Sequence, residues 1–305
     1  MSRPTDHLEV LAAGALTTVQ DRGRTGVAHL GVPRAGALDA PAAELANRVV
    51  GNGADAALLE VTFGGLVLRA GAGRWVAVTG APGPVTVAGA AVPHGEAVWL
   101  PAGGVLEVGH PVRGVRSYVA VAGGIDVPPV LGSRSTDTLA GVGPAPVAAG
   151  DRLPLGVAVA PPAHHDAPHP ARPGPLRLLP GPRADWCEPD VLRALAAAPY
   201  AVQADSNRVG LRLQGRPLAR VRDEELPSEG IVLGAVQVPP DGQPVVFLAD
   251  HPPTGGYPVV AVVVADDLWR CAQLRPGEEV RFTPASVTAG SPAHRGQAAR
   301  ADARG

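Results

Sequence analysis

Apolar residues in this chain fall in short runs broken at regular intervals by glycine, proline or charge, a pattern that predicts strands rather than long helices. Between Ala57 and Val121 the runs are Leu58–Phe63, Leu66–Leu68, Trp75–Val78, Val85–Val87, Ala97–Leu100, Val105–Val108 and Ser117–Val121. Spacing of this kind argues for a barrel or sandwich. Leu8–Leu11 and Leu16–Val19 precede them, and Leu176–Leu179, Tyr200–Ala204 and Val280–Phe282 extend the pattern into the second half. The centre of that half is the stretch from Ser228 to Pro258. Ile231–Val238 and Val245–Leu248 flank the turn residues Asp241, Gly242, Gln243 and Pro244, which reads as a β-hairpin. A third run, Val259–Val264, follows the loop Thr254, Gly255, Gly256, Tyr257, Pro258. Two adjacent glycines there suggest backbone at positive φ and close to a neighbour.

Three segments carry helical periodicity. Asp39 is placed to cap a helix with Pro41 in its first turn, a stripe of Leu45, Ala46, Val49 and Val50, and a stop at Gly51, Asn52 and Gly53. Asp185 and Glu188 form a capping-box pattern ahead of Val191–Leu195, and Asp266–Leu274 is the third. The chain divides into an N-terminal unit (1–157), a linker rich in Ala, Pro and His (158–175), a C-terminal unit (176–285) and an aperiodic tail (286–305).

Composition narrows the chemistry. With 305 residues, 46% hydrophobic and a net charge of −2, the chain is globular and carries no electrostatic invitation to nucleic acid or an acidic membrane. It contains no lysine, so all 26 basic residues are arginine. That excludes a Walker-type phosphate loop, a Schiff-base lysine and covalently attached biotin on this chain. Cys187 and Cys271, each in a predicted helix, form no metal-binding spacing, and His164, His165 and His169 lack companion ligands, so no metal is expected. No segment has the pattern of a signal peptide or a membrane helix, which points to the cytoplasm.

Candidate site residues cluster at strand ends and turns. Asp21, Arg22, Gly23 and Arg24 read most simply as a solvated turn with a local ion pair, and as an anion site if the arginines converge. Ser133, Arg134 and Ser135 lie in a long polar loop, Asp205 and Arg208 follow a strand, and Ser228, Glu229, Gln237, Gln243, Asp250 and Thr254 sit at the ends of the hairpin strands. The glycine-rich entry to Asp39 offers an anion cradle at a helix N-terminus.

The ordered blocks VQDRGRTG (19–26), LGVPRAGALD (30–39), ELANRVVGN (44–52), ALLEVTFGG (57–65), AGGIDVPPVLGSRST (122–136), DSNRVGLRL (205–213), SEGIVLGAVQVPPDGQP (228–244) and LADHPPTGGYP (248–258) resemble the KipA-type family, which includes the C subunit of 5-oxoprolinase. The resemblance spans Leu8 to Phe282. It implies a mainly β fold of two cyclophilin-like β-barrel domains with a few short helices, and homology to part of the carboxyltransferase component of urea carboxylase. Where the family most commonly has Arg-Gln-Thr, this chain has His251, Pro252 and Pro253. The implied function is one subunit of an ATP-dependent 5-oxoprolinase, acting with a KipI-like subunit and a third subunit, with ATP used at the level of the complex. Two alternatives share the fold: a carboxyltransferase component of a urea carboxylase or amidolyase system, and a non-enzymatic regulator that binds a KipI-like kinase inhibitor. For lactam opening, Asp205, Asp250 and Glu229 are the candidate acid–base groups. Arg24, Arg134, Arg208, Gln237, Thr254, Gly255, Gly256 and Tyr257 are the candidate substrate contacts.

Overall fold

The computed structural model describes residues 6–163, 174–222 and 224–285. In the first half two antiparallel sheets stack. One runs Arg152–Pro154, His7–Ala13, Leu66–Ala70, Val105–Val108, Val85–Val87, Ala90–Ala91; the other runs Leu16–Gln20, Leu58–Thr62, Arg116–Val121, Arg74–Gly80, Val98–Leu100. Side chains alternate across a pleated strand. Leu8, Val10, Leu66, Leu68 and Leu106 therefore meet Val19, Leu59, Val61, Val78, Val119 and Val121 in one core between the sheets.

The opposite face of the second sheet is covered by helix Ala40–Val49, whose Ala43, Ala46 and Val49 pack on Leu58, Ala77, Tyr118 and Ala120. With both faces covered, every residue of strand Arg116–Val121 is buried. The same alternation puts Glu60, Arg116 and Tyr118 on the helix side, and the strand register sets Tyr118 directly opposite Glu60. Polar groups are thus forced into a covered face, where each needs a partner.

The second half is an eight-stranded sheet ordered Glu279–Val280, Tyr200–Val202, Gly210–Gln214, Val245–Phe247, Ala235–Gln237, Val259–Val263, Leu176–Pro180, Phe282–Pro284. Its two edge strands are neighbours in sequence. Val280 pairs with Tyr200 and Phe282 with Leu176, so the terminal segment nearly closes the sheet into a barrel. Leu176, Leu178, Leu211, Leu213, Val236, Val246, Val260 and Phe282 fill it, together with Leu38 from the first half. The fold is mainly β with a few short helices, in line with the sequence reading. The hairpin forms with Val236 opposite Val246, and Gly242 takes φ +74 in its turn.

The first helix begins at Asp39, which accepts from Ala42 N at 3.0 Å. The other two are shorter than the periodicity suggests. Val191–Ala196 is capped by Asp190 in the left-handed region rather than by a box of Asp185 and Glu188, because Ala184–Trp186 forms its own single turn and Cys187 is extended. Cys187 therefore lies outside any helix; Cys271 ends the four-residue helix Leu268–Cys271, which follows a turn at Ala265–Asp267. Both thiols are buried and free. Of the linker, Ala163 N donates to Val49 O at 3.1 Å, whereas His164, His165, His169 and the tail 286–305 lie outside the described residues. Among the described residues no helix is long and apolar enough to cross a membrane.

Candidate functional site at the junction of the halves

The polar face beneath the first helix meets the mouth of the second-half barrel, and Arg208 fills the contact. This guanidinium is 1% exposed. It binds Asp250 bidentately at 2.9 Å through both Nε and Nη2, pairs with Glu60 through Nη1, and donates to Gly36 O at 2.8 Å. Glu60 also accepts from Tyr118 Oη and Leu38 N, both at 2.9 Å, and lies 3.4 Å from Arg116 Nε. Asp250 accepts two further bonds from Thr138, from its N at 2.9 Å and its Oγ1 at 2.6 Å. With both oxygens committed to these partners, Asp250 is built as an anchor across the halves rather than as a free base.

Gln273, from the second half, brackets the same junction. Its Oε1 accepts from Val115 N and Arg116 N, and its Nε2 donates to Asp39 Oδ2 at 2.8 Å and to Arg116 O. Asp39 and Glu60 between them occupy the start of the helix, so the expected anion cradle there is filled by the protein's own carboxylates.

Burial opposes each charge, and the partners decide the outcome. For Arg208 desolvation works against the cation, but Glu60 and Asp250 outweigh it and raise its pKa. Arg116 is lowered, by burial first and by the neighbouring Arg208. Burial and the negative Glu60 push Asp39 up to about 6, against the hydrogen bonds from Gln273 and Ala42. A carboxyl raised on folding favours the protonated native state, so its share of stability is present below about pH 4 and is lost as pH rises to about 6, on the order of 3 kcal/mol. Asp39→Ser keeps a helix cap but cannot titrate. In urea unfolding, the advantage of the wild type over this variant should shrink between about pH 4 and about pH 6.5; a constant difference would show that Asp39 is not the titrating group.

The turn at Asp21 is solvated on one side only: Arg22 is exposed and pairs with Glu44 at 2.9 Å, whereas Asp21 is half-buried and Arg24 buried. Asp21 Oδ1 accepts from Ser133 Oγ and Ser135 Oγ, each at 2.6 Å, and Oδ2 accepts from Arg134 N at 2.6 Å. Burial would raise its pKa, but these bonds and one from Gly23 N lower it. Arg24, 2% exposed, donates to Ser135 O at 2.5 Å and to Val130 O and Val142 O, holding the loop that carries Asp137 and Thr138. His251 is buried next to Asp250, packed at 6.1 Å on Phe247, with Nδ1 2.8 Å from Pro252 O. Burial lowers the pKa of His251 against the pull of Asp250 and Asp137.

The structure therefore unites Arg208 and Asp250, sets Arg24 to hold the loop whose Thr138 bonds Asp250, and separates the other candidates. Arg134 turns its side chain to Val127 O and Asp126. Asp205 is exposed and pairs with Arg212 at 3.1 Å, away from the junction. Glu229, Gln237 and Thr254–Tyr257 form a second group on the hairpin flank: Glu229 is ion-paired with Arg183, Gln237 Nε2 donates to Tyr257 O at 2.8 Å, and Glu229–Gly230 pairs with Thr254–Gly255. That short ladder holds the loop extended, so neither Gly255 nor Gly256 takes the positive φ expected of it. Gly255 is instead constrained by closeness, since a Cβ there would lie 2.5 Å from Ile231 Cδ1.

Sequence reasoning passed over Glu60, Arg116, Tyr118, Asp137 and Gln273. One signal was available: Glu60 and Arg116 interrupt runs otherwise apolar enough to be buried on both faces, where a charge demands a partner.

Two β cores joined through a buried ionic junction, one of them a nearly closed barrel, place the protein among the carboxyltransferase-type β folds. The chain belongs to the family described as carboxyltransferase domain, subdomain A and B, which it matches over residues 30–284. It is 40% identical over 284 residues to the C subunit of 5-oxoprolinase from Escherichia coli (strain K12), covering 92% of each chain. The crystal structure of TTHA0988 superposes with a TM-score of 0.83 at 41% identity, covering 92% of this chain and 56% of that one. This chain thus spans little more than half of TTHA0988. The crystal structure of the K. lactis urea amidolyase gives a TM-score of 0.86 at 32% identity, covering 94% of this chain and 19% of that one.

Proposed function

We propose that this chain is one subunit of an ATP-dependent 5-oxoprolinase, which opens the lactam of 5-oxo-L-proline to give L-glutamate together with a KipI-like subunit and a third subunit. The observation that carries this reading is the match with the E. coli protein over 92% of each chain, against a match confined to 19% of the urea amidolyase. A match over nearly the whole of both chains likens this chain to that protein itself rather than to a part of it. A resonance-stabilised lactam resists water at neutral pH, so ATP would activate it by phosphorylating the amide oxygen. Water then adds to that carbon, the C–N bond breaks with the nitrogen leaving as the protonated amine, and a second water hydrolyses the resulting acyl phosphate to carboxylate and phosphate. ATP would be held at the level of the complex, and no biotin is attached to this lysine-free chain. The KipI-like partner would dock through an apolar surface of one β unit.

The TM-score of 0.86 with the urea amidolyase favours a second reading, a carboxyltransferase component working on urea. Complementation separates the two. In an E. coli strain deleted for the corresponding 5-oxoprolinase chain, this protein should restore use of 5-oxoproline as nitrogen source. A soluble, well-expressed chain that leaves the strain unable to use 5-oxoproline would count against the proposal.

A further inference from the structure

A cavity of about 170 Å³ opens between the two halves, beside the ionic junction. Its walls are mostly apolar: Leu16 and Phe63 come from the first half, and Leu211, Leu248 and Leu274 from the second. Arg116 supplies a charge. This side chain is 6% exposed, and its Nη1 donates a hydrogen bond to Ala272 O at 2.6 Å. Its buried Nε has no hydrogen-bond partner among the described residues, standing 3.4 Å from a Glu60 oxygen already shared with Arg208. A guanidinium that lines an otherwise apolar cavity is complementary to a carboxylate.

Backbone strain marks the same place. Phe63 lines the cavity with φ +58, a conformation disfavoured for a bulky side chain. It is held there at both ends, by Phe63 N to Val115 O at 2.8 Å and by His110 Nδ1 to Phe63 O at 2.6 Å. Strain of this kind persists where a site is being shaped. Apolar walls with a converging charge are the usual composition of a small-molecule pocket.

We infer that this inter-half cavity binds a small carboxylate with a compact apolar body, Arg116 receiving the carboxylate. Identification of that ligand as 5-oxoproline rests on the proposed function; the site itself rests on the cavity and Arg116. The lactam ring would lie against Phe63 and the leucines, leaving its amide directed toward the rim formed by Ala204 and Asn207, where a partner subunit has access.

Calorimetry on the full chain tests this with three probes: 5-oxoproline, cyclopentanecarboxylate and the neutral lactam 2-pyrrolidinone. Both carboxylates should bind and 2-pyrrolidinone should bind far more weakly. Arg116→Gln should weaken carboxylate binding on the order of 10- to 100-fold, the loss of a charged hydrogen bond. Because Arg116 also supports the junction, Ala204→Trp serves as a second variant, filling the cavity from its exposed rim at little cost to folding, with the same loss of binding. Equal affinity for the two carboxylates would support the site while counting against 5-oxoproline as its natural ligand. Carboxylate binding that survives both variants, or binding of 2-pyrrolidinone as tight as that of 5-oxoproline, would overturn the inference.

Discussion

Arg208→Ala is expected to destabilise the protein by about 3–5 kcal/mol, because it leaves Glu60 and Asp250 buried without their cation. In a chain of this size that corresponds to a fall in Tm on the order of 10 °C. The energetics are asymmetric. Bringing three charges out of water costs nearly as much as their attraction returns, so the intact network adds little net stability, whereas removing one member exposes the whole penalty. Arg212→Ala provides the contrast: its pair with Asp205 is exposed on both sides and should contribute only about 0–1 kcal/mol. Because Arg208 reaches from the second half to Glu60 in the first, its loss should also uncouple the halves and broaden the unfolding transition. Equal, small effects for Arg208→Ala and Arg212→Ala would show that the junction does not hold the halves together.

Local pattern carried most of the strands, the hairpin and the first helix, since each depends on alternation or capping within a few residues. The junction depends on contacts between residues far apart in sequence. Arg208 and Glu60 are 148 positions apart, and nothing near either residue names the other. Arg24 looked like part of a solvated turn because its partners, the carbonyls of Val130, Ser135 and Val142, belong to a loop more than a hundred residues away. Gly255 and Gly256 misled for a different reason. Both positive φ and close approach were expected of them; the closeness is present at Gly255, but a two-residue ladder with Glu229 and Gly230 keeps the backbone out of the positive-φ region. Arg208 and Asp250, taken as candidate site residues, turn out to pair with each other at the contact between the halves, and Arg24 holds a neighbouring loop, roles that the motifs did not specify.

Placing a cavity, rather than a catalytic dyad, at this junction fits a subunit that holds one end of a substrate while chemistry is completed with its partners. A positioned substrate is sensitive to displacements of about 1 Å, so the ionic frame around Arg208 and the strained Phe63 would act through geometry. Such a subunit should be indispensable yet nearly inert alone.

The direct measurement is ATP hydrolysis by this chain mixed with the remaining 5-oxoprolinase subunits of E. coli, with 5-oxoproline or with urea and bicarbonate as substrate. Adding the chain should raise 5-oxoproline-dependent ATP hydrolysis by at least about 100-fold over the mixture without it, with glutamate formed in step, and urea should have no effect. The isolated chain should turn over neither substrate. Stimulation by urea and not by 5-oxoproline, or full 5-oxoprolinase turnover by the isolated chain, would contradict a role as a 5-oxoprolinase subunit.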